Sequence, residues 1–271
     1  MITGKEKIMA SMGEGLTSDF PVVIPYIDIF LRDHWYEITN EPWWSTQADD
    51  IETQLNINKN LQEKLDLDWI SCDICHSRKW RRAYKVEVQN DRVFLVNGLT
   101  GVKKEVFKPA PGGFQSIVTR YKQPLIRSIE DVDKYVKIEY AKDLHRQGKL
   151  DYVKAVLERF GSKKFVFSSI GSPNEFLSDH FGITNMAINL YRNPKLVEYL
   201  IDKFLARNLE LLGSYASAGV HGIFVEDCLP LDMISPAHFR RFALPSTKIF
   251  LSEIKRLGMK SVIYWSCSIA G

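Results

Sequence analysis

The groups in this sequence best placed to do chemistry are carboxylates and thiols that follow short apolar runs. Gly222-Ile-Phe-Val leads into Glu226, Asp227 and Cys228, and Val262-Ile-Tyr-Trp265 leads to Cys267 two residues on. Asp28 closes the run that begins at Phe20, and Cys72 and Asp73 close the run that begins at Leu67. A carboxylate so placed can hold or pass a proton or face a cation, and a thiolate can bind a soft metal or act as a nucleophile. The spacing Cys72-Asp-Ile-Cys75-His76 leaves several readings open: a c-type haem attachment site, a metal or redox pair, or Asp73 as the cap of the next helix. His180, in Ser178-Asp-His-Phe-Gly182, is the histidine whose setting best suits a site; His221 and His238 suit surface or capping roles.

The elements that must carry these groups follow a parallel α/β rhythm. A helix ending at Gly219 precedes the run at Gly222, and Ser235-Pro236 opens a periodic segment closed by Gly258 before the run at Val262. Further strands are predicted at Phe20–Asp28, Leu67–Asp73 and Lys164–Ile170, five in all, with helices over Lys5–Met12, Gln47–Leu65 and parts of Ser128–Gly161. Asn174–Gly213 reads as helix broken near Gly182 and Asn193-Pro194. In such sheets functional groups collect at the carboxyl ends of the strands. The rhythm breaks over residues 84–121, where short antiparallel strands and turns at Asn90-Asp91 and Asn97-Gly98 predict a β-rich insertion, a flap over the site. The aromatic stretch Asp33–Trp44 either caps the sheet or lines a pocket.

Composition narrows the class. The 271 residues are 45% hydrophobic and 25% charged with net charge +3, which gives no basic footprint for nucleic acid. The cluster Arg78-Lys79-Trp80-Arg81-Arg82 reads either as a solvated loop or as an anion site. No run approaches the roughly 18 apolar residues of a membrane span, and no signal-peptide pattern opens the chain, so a cytoplasmic protein with four free thiols is expected.

The runs GVHGIFVEDC and ISPAHFRRFALP resemble the uroporphyrinogen decarboxylase superfamily, which joins true decarboxylases and cobalamin-linked methyltransferases. Ile170–Gly182 (IGSPNEFLSDHFG) and Leu190–Phe204 (LYRNPKLVEYLIDKF) are similar to the same family in the same order. The resemblance implies a single TIM-type (β/α)8 barrel over residues 1–271, here truncated after about five strands. It also implies site roles. Ser71-Cys-Asp73-Ile74 resembles the decarboxylase segment whose aspartate contacts pyrrole nitrogens or holds a protonated intermediate, with one cysteine inserted. The methyltransferases bind zinc through a His-x-Cys pair and a distal cysteine, and Cys267 falls on the cysteine of that pair while Trp265 stands where the histidine would be. Zinc would then need Cys228, Glu226, Asp227 or the Cys72/Cys75/His76 group as substitutes.

The decarboxylases also carry an arginine-rich segment that clamps substrate carboxylates, where this chain has Ile24–Arg32 with Arg32 alone basic. The resemblance therefore implies a corrinoid-linked methyltransferase acting on a small methylated substrate, with Asp73, Asp227 and Glu226 catalytic and Asp28, Arg32, His180 and Trp265 binding substrate. Cys267 and Cys228 would be the metal ligands. Its implied cofactors are zinc and a methylcobalamin carried by a partner corrinoid protein, with a homodimer left open. The alternatives are a metal-free decarboxylase of a tetrapyrrole or other carboxylate, and an inactive relative that binds a partner.

Overall fold

In the computed structural model the apolar runs become strands and the periodic segments between them become helices. The structure describes residues 2–15, 19–112, 126–227 and 234–265. In chain order the helices are α1 (Gly4–Met9), α2 (Ile27–Ile38), α3 (Ile51–Leu65), α4 (Arg78–Ala83), α5 (Ile129–Tyr135), α6 (Ala141–Gln147), α7 (Asp151–Phe160), α8 (Leu177–Phe181), α9 (Ile183–Arg192), α10 (Pro194–Ala218), α11 (Pro236–His238) and α12 (Leu244–Arg256). The strands are β1 (Trp69–Ser71), β2 (Tyr84–Gln89), β3 (Arg92–Asn97), β4 (Lys103–Val106), β5 (Phe165–Gly171), β6 (Gly222–Asp227) and β7 (Lys260–Trp265).

One sheet has the order β1-β5-β6-β7, with β1 parallel to β5 and β6 parallel to β7; the other, β2-β3-β4, is antiparallel. The chain divides into two compact units, Met1–Gln115 with Leu144–Phe167, and Ser116–Asp143 with Ser168–Gly271.

The predicted first strand does not form. Residues Phe20 to Ile24 run extended, and the chain then turns into α2 at Ile27. Pro21 and Pro25 have no amide proton to give a ladder. The link to β1 goes instead through the buried Asp68: its carboxylate accepts from the Val22 amide (2.7 Å), its own amide donates to the Val22 carbonyl (2.8 Å), and Trp69 Nε1 donates to the Ile24 carbonyl (3.3 Å). The described residues thus give a sheet of four strands where five were predicted. That agrees with part of a (β/α)8 arrangement and not with a closed barrel.

In the first unit α2 and α3 pack Ile38, Leu61 and Leu67 with Ile27, Phe30 and Leu31. The insertion forms as predicted through Val106: Asn90 and Asp91 both take positive φ (50° and 61°), the geometry of a two-residue hairpin turn. The rest of that predicted insertion, from 113 on, lies outside the described residues.

The second unit is built on α10, whose buried face includes Val197, Leu200, Ile201 and Phe204, packed with Leu177, Phe181, Met186 and Phe242. The predicted breaks have direct causes. Gly182 takes φ +74° between α8 and α9, and Pro194 sits at the first turn of α10, where its missing amide proton costs nothing. Ser235 caps α11, its hydroxyl accepting from the His238 amide, as Ser235-Pro236 predicts.

Candidate functional site

In the second unit, β5 and β6 end beside each other, tied by a hydrogen bond from the Ser172 amide to the Glu226 carbonyl (2.7 Å). The turn after β5, Gly171-Ser-Pro-Asn-Glu175, is fixed by the fully buried Asn174. Asn174 donates to Thr247 Oγ1 (3.1 Å) and to the Ala243 carbonyl (3.4 Å), and accepts from Ser246 Oγ (3.3 Å). Asn208 of α10, also buried, donates to the Gly171 carbonyl (2.7 Å). These bonds aim Glu175 back over the strand end: a Cβ at Gly171 would lie 1.4 Å from Glu175 Oε2, so glycine is what lets the carboxyl come so close.

The electrostatics there are lopsided. Burial pushes the Glu175 carboxyl up to about 8, helped by the charges of Glu226, Asp227 and Asp179 and opposed by Arg207. Oε2 is buried and makes no hydrogen bond among the described residues. Arg207 is itself held below its ordinary value by burial, because it is sandwiched against Phe176 and Phe204, its Cζ 4.6 and 4.7 Å from the two ring centroids. His180 belongs to the same group: its Nδ1 lies 2.8 Å from the Phe176 carbonyl, its ring meets Phe204 edge-on at 4.9 Å, and burial lowers its pKa. Asp227 is 1% exposed, and Glu226 is half-buried. The arrangement presents a carboxyl that keeps its proton at neutral pH among other acidic groups.

The first unit has a cavity of about 320 Å³ with Asp28 and Arg32 of α2 in its wall, together with Trp35, Trp43, Asn58 and Tyr152. Asp28 is exposed at the cavity wall, yet the protein mass around its carboxyl is enough that burial raises its pKa. Arg32 pairs with Asp33, its Nε and Nη2 donating to the two carboxylate oxygens (2.7 and 3.0 Å). The Tyr152 hydroxyl accepts from Asn58 Nδ2 (2.6 Å), and burial, with the nearby Cys72, Asp28 and Asp73, raises its pKa strongly.

Sequence and structure agree unevenly on the site residues. Asp28 and Arg32 share the first unit's cavity wall and Asp28 and Asp73 both act on Tyr152, while in the second unit Glu226 and Asp227 act on Glu175 and His180 packs on Phe204. Asp73 caps no helix, since Ser77 caps α4. Cys72 and Cys75 are buried free thiols, and Cys75 Sγ donates to the Lys149 carbonyl (3.3 Å). His76 is bound to Asp49 and stacked on Trp80, so the three do not converge as ligands. Arg78 and Arg81, in the basic cluster, both pair with Asp151. The β7 backbone places Trp265 opposite Asp227, while Cys228 and Cys267 lie outside the described residues. Among the described residues no three His, Cys, Asp or Glu side chains are grouped to hold a metal, and no helix is long and apolar enough to cross a membrane.

Sequence reasoning missed Glu175 and Arg207. The signal for Glu175 was present: like Glu226 it stands at the carboxyl end of an apolar run, four residues past Gly171.

A parallel α/β sheet with acidic groups gathered at its strand ends defines a class of enzyme folds, and comparison narrows it. The model of the family Uroporphyrinogen decarboxylase (URO-D) matches residues 115–270, more than half of the chain, which therefore belongs to that family. A methyltransferase from Methanosarcina mazei is similar in structure at a TM-score of 0.63, with 14% sequence identity over 99% of this chain and 71% of that one. No curated protein matches the sequence.

Proposed function

We propose that this chain is a methyltransferase of the uroporphyrinogen decarboxylase family that moves a methyl group between a small methylated substrate and a corrinoid carried by a partner protein. The observation that carries the reading is the surplus of carboxylates in both units. In the second, Glu226, Asp227 and Asp179 all act on Glu175 against the opposing charge of Arg207, and in the first Asp28 and Asp73 both act on Tyr152 while Arg32 pairs with Asp33. A polycarboxylate such as uroporphyrinogen would meet like charge where it needs guanidinium clamps. A neutral or cationic small molecule meets no such penalty. The fold likeness to a methyltransferase supports the same choice.

When bound, the corrinoid supplies cobalt as methyl donor or acceptor. The residues of this chain supply the rest: in the first unit a cavity able to take a small ligand, and in the second a Glu175 that holds a proton near Glu226. Exposed apolar side chains on the insertion, Leu99, Val102 and Phe107, suit the docking of a partner. Zinc bound through Cys267 and Cys228 remains part of the proposal. The described residues do not by themselves make a zinc site, so no step is assigned to the metal.

The test is the cobalamin spectrum. Incubating the chain with methylcobalamin and thiol or amine acceptors should convert the methylated form, and unchanged spectra with all acceptors would reject the reading.

A further inference from the structure

We infer that the first unit's cavity is an ammonium cage: the indoles of Trp35 and Trp43 and the carboxylate of Asp28 take a small methylated ammonium ion. This rests on the proposed methyl-transfer reading for its biological substrate, while binding itself is separate from that reaction. Four features of the cavity support it.

Asp28 supplies negative charge with no hydrogen bond or ion pair to it among the described residues. It sits in the first turn of α2, where the helix end acts against the burial that raises its pKa. Two indole rings share the same wall, and an indole face is the best aromatic partner for a cation. The Trp35 ring is held in place by its Nε1–H donating to the Glu41 carbonyl at 2.6 Å, so it does not need ordering when a ligand arrives.

The wall's own cations are occupied. Arg32 grips Asp33 through two nitrogens, and the Lys108 ammonium lies 5.2 Å from the Tyr36 ring centroid. An anionic ligand would have to displace those pairs and approach Asp28. A methylated ammonium needs neither: its charge answers Asp28 and its methyl groups pack on Leu31, Ile57 and the indoles. A cavity of about 320 Å³ is at the small end of small-molecule sites, in keeping with a compact ligand.

Isothermal titration of the full chain with tetramethylammonium chloride, at constant total salt, tests the cage, with tert-butanol as the neutral counterpart of similar shape. The expected result is saturable binding of the cation and none of the alcohol. Asp28→Asn should weaken binding about tenfold or more, and Trp43→Leu should weaken it several-fold. Because Asp28 is solvent-accessible, its variant should fold as the parent does, which far-ultraviolet circular dichroism checks. Equal binding of the alcohol, full affinity in Asp28→Asn, or no heat from folded protein would overturn the cage. Cation binding without any methyl transfer would instead overturn the functional reading and leave the cage standing. Transfer from neutral methyl donors with no cation binding would do the reverse.

Discussion

The two units hold the same kind of chemical group in different settings. Asp28 opens into a cavity beside indoles, at the start of a helix, where its charge can be used to bind. Glu175 is folded back over Gly171, away from water and among other acids, where its charge is suppressed and its proton is kept to about pH 8. Residue type alone therefore says little about what a carboxyl does at a strand or helix end. Burial raises the pKa of both; what separates them is solvent access and, at Glu175 alone, the added charges of neighbouring acids.

The contrast can be broken most severely from beneath the second site. Phe204 is fully buried and carries both the Arg207 guanidinium and the edge contact with His180. Phe204→Ala should cost about 3–5 kcal/mol of stability, read from denaturant unfolding.

Glu175→Gln isolates the proton. In the wild type the folded carboxyl titrates at about 8 against an ordinary 4.5, so the folded state holds a proton that the unfolded state releases over that interval. Stability should fall as pH rises from about 4.5 to 8 and level off above. Glu175→Gln should remove that slope and melt higher than the wild type above pH 8. If Glu175 serves the reaction, methyl transfer should also slow about 100-fold or more. An unchanged pH slope in thermal melts would mean that Glu175 is not the buried acid described.

Gly171→Ala makes a smaller, related change. The new methyl would collide with Glu175 Oε2 and press on Phe176, so the carboxyl must swing out to water. Its pKa should drop toward the ordinary value, seen as a downward shift in the titration of its carbonyl infrared band. Asp28→Asn should remove cation binding while leaving the fall in stability between about pH 4.5 and 8 in place, and so separates the two carboxyls.

Much of the scaffold was legible because apolar runs ending at Ser71, Gly171, Asp227 and Trp265, and breakers at Gly182 and Pro194, act locally. The run from Phe20 misled because its apolar residues are interrupted by Pro21 and Pro25 and because Asp68, far along the chain, takes the hydrogen bonds a strand would make. Glu226, Asp227 and His180 were readable as residues after strands or in a family-like motif. Arg207 was not, since one arginine on a 25-residue helix looks like any solvent-facing cation until Phe176 and Phe204 are packed around it. Glu175 was passed over although it follows a strand. A periodic reading absorbed it into the following helix, whereas the bonds of Asn174 hold it in a turn.

The central claim is methyl transfer in place of decarboxylation, and offering the purified chain both reactions tests it most directly. Methylcobalamin with a panel of thiol and amine acceptors is followed by absorbance, and uroporphyrinogen is followed by carbon dioxide release. The account predicts loss of the methylcobalamin spectrum, slowed in Glu175→Gln, and no carbon dioxide. Carbon dioxide release with an unchanged cobalamin spectrum would contradict it.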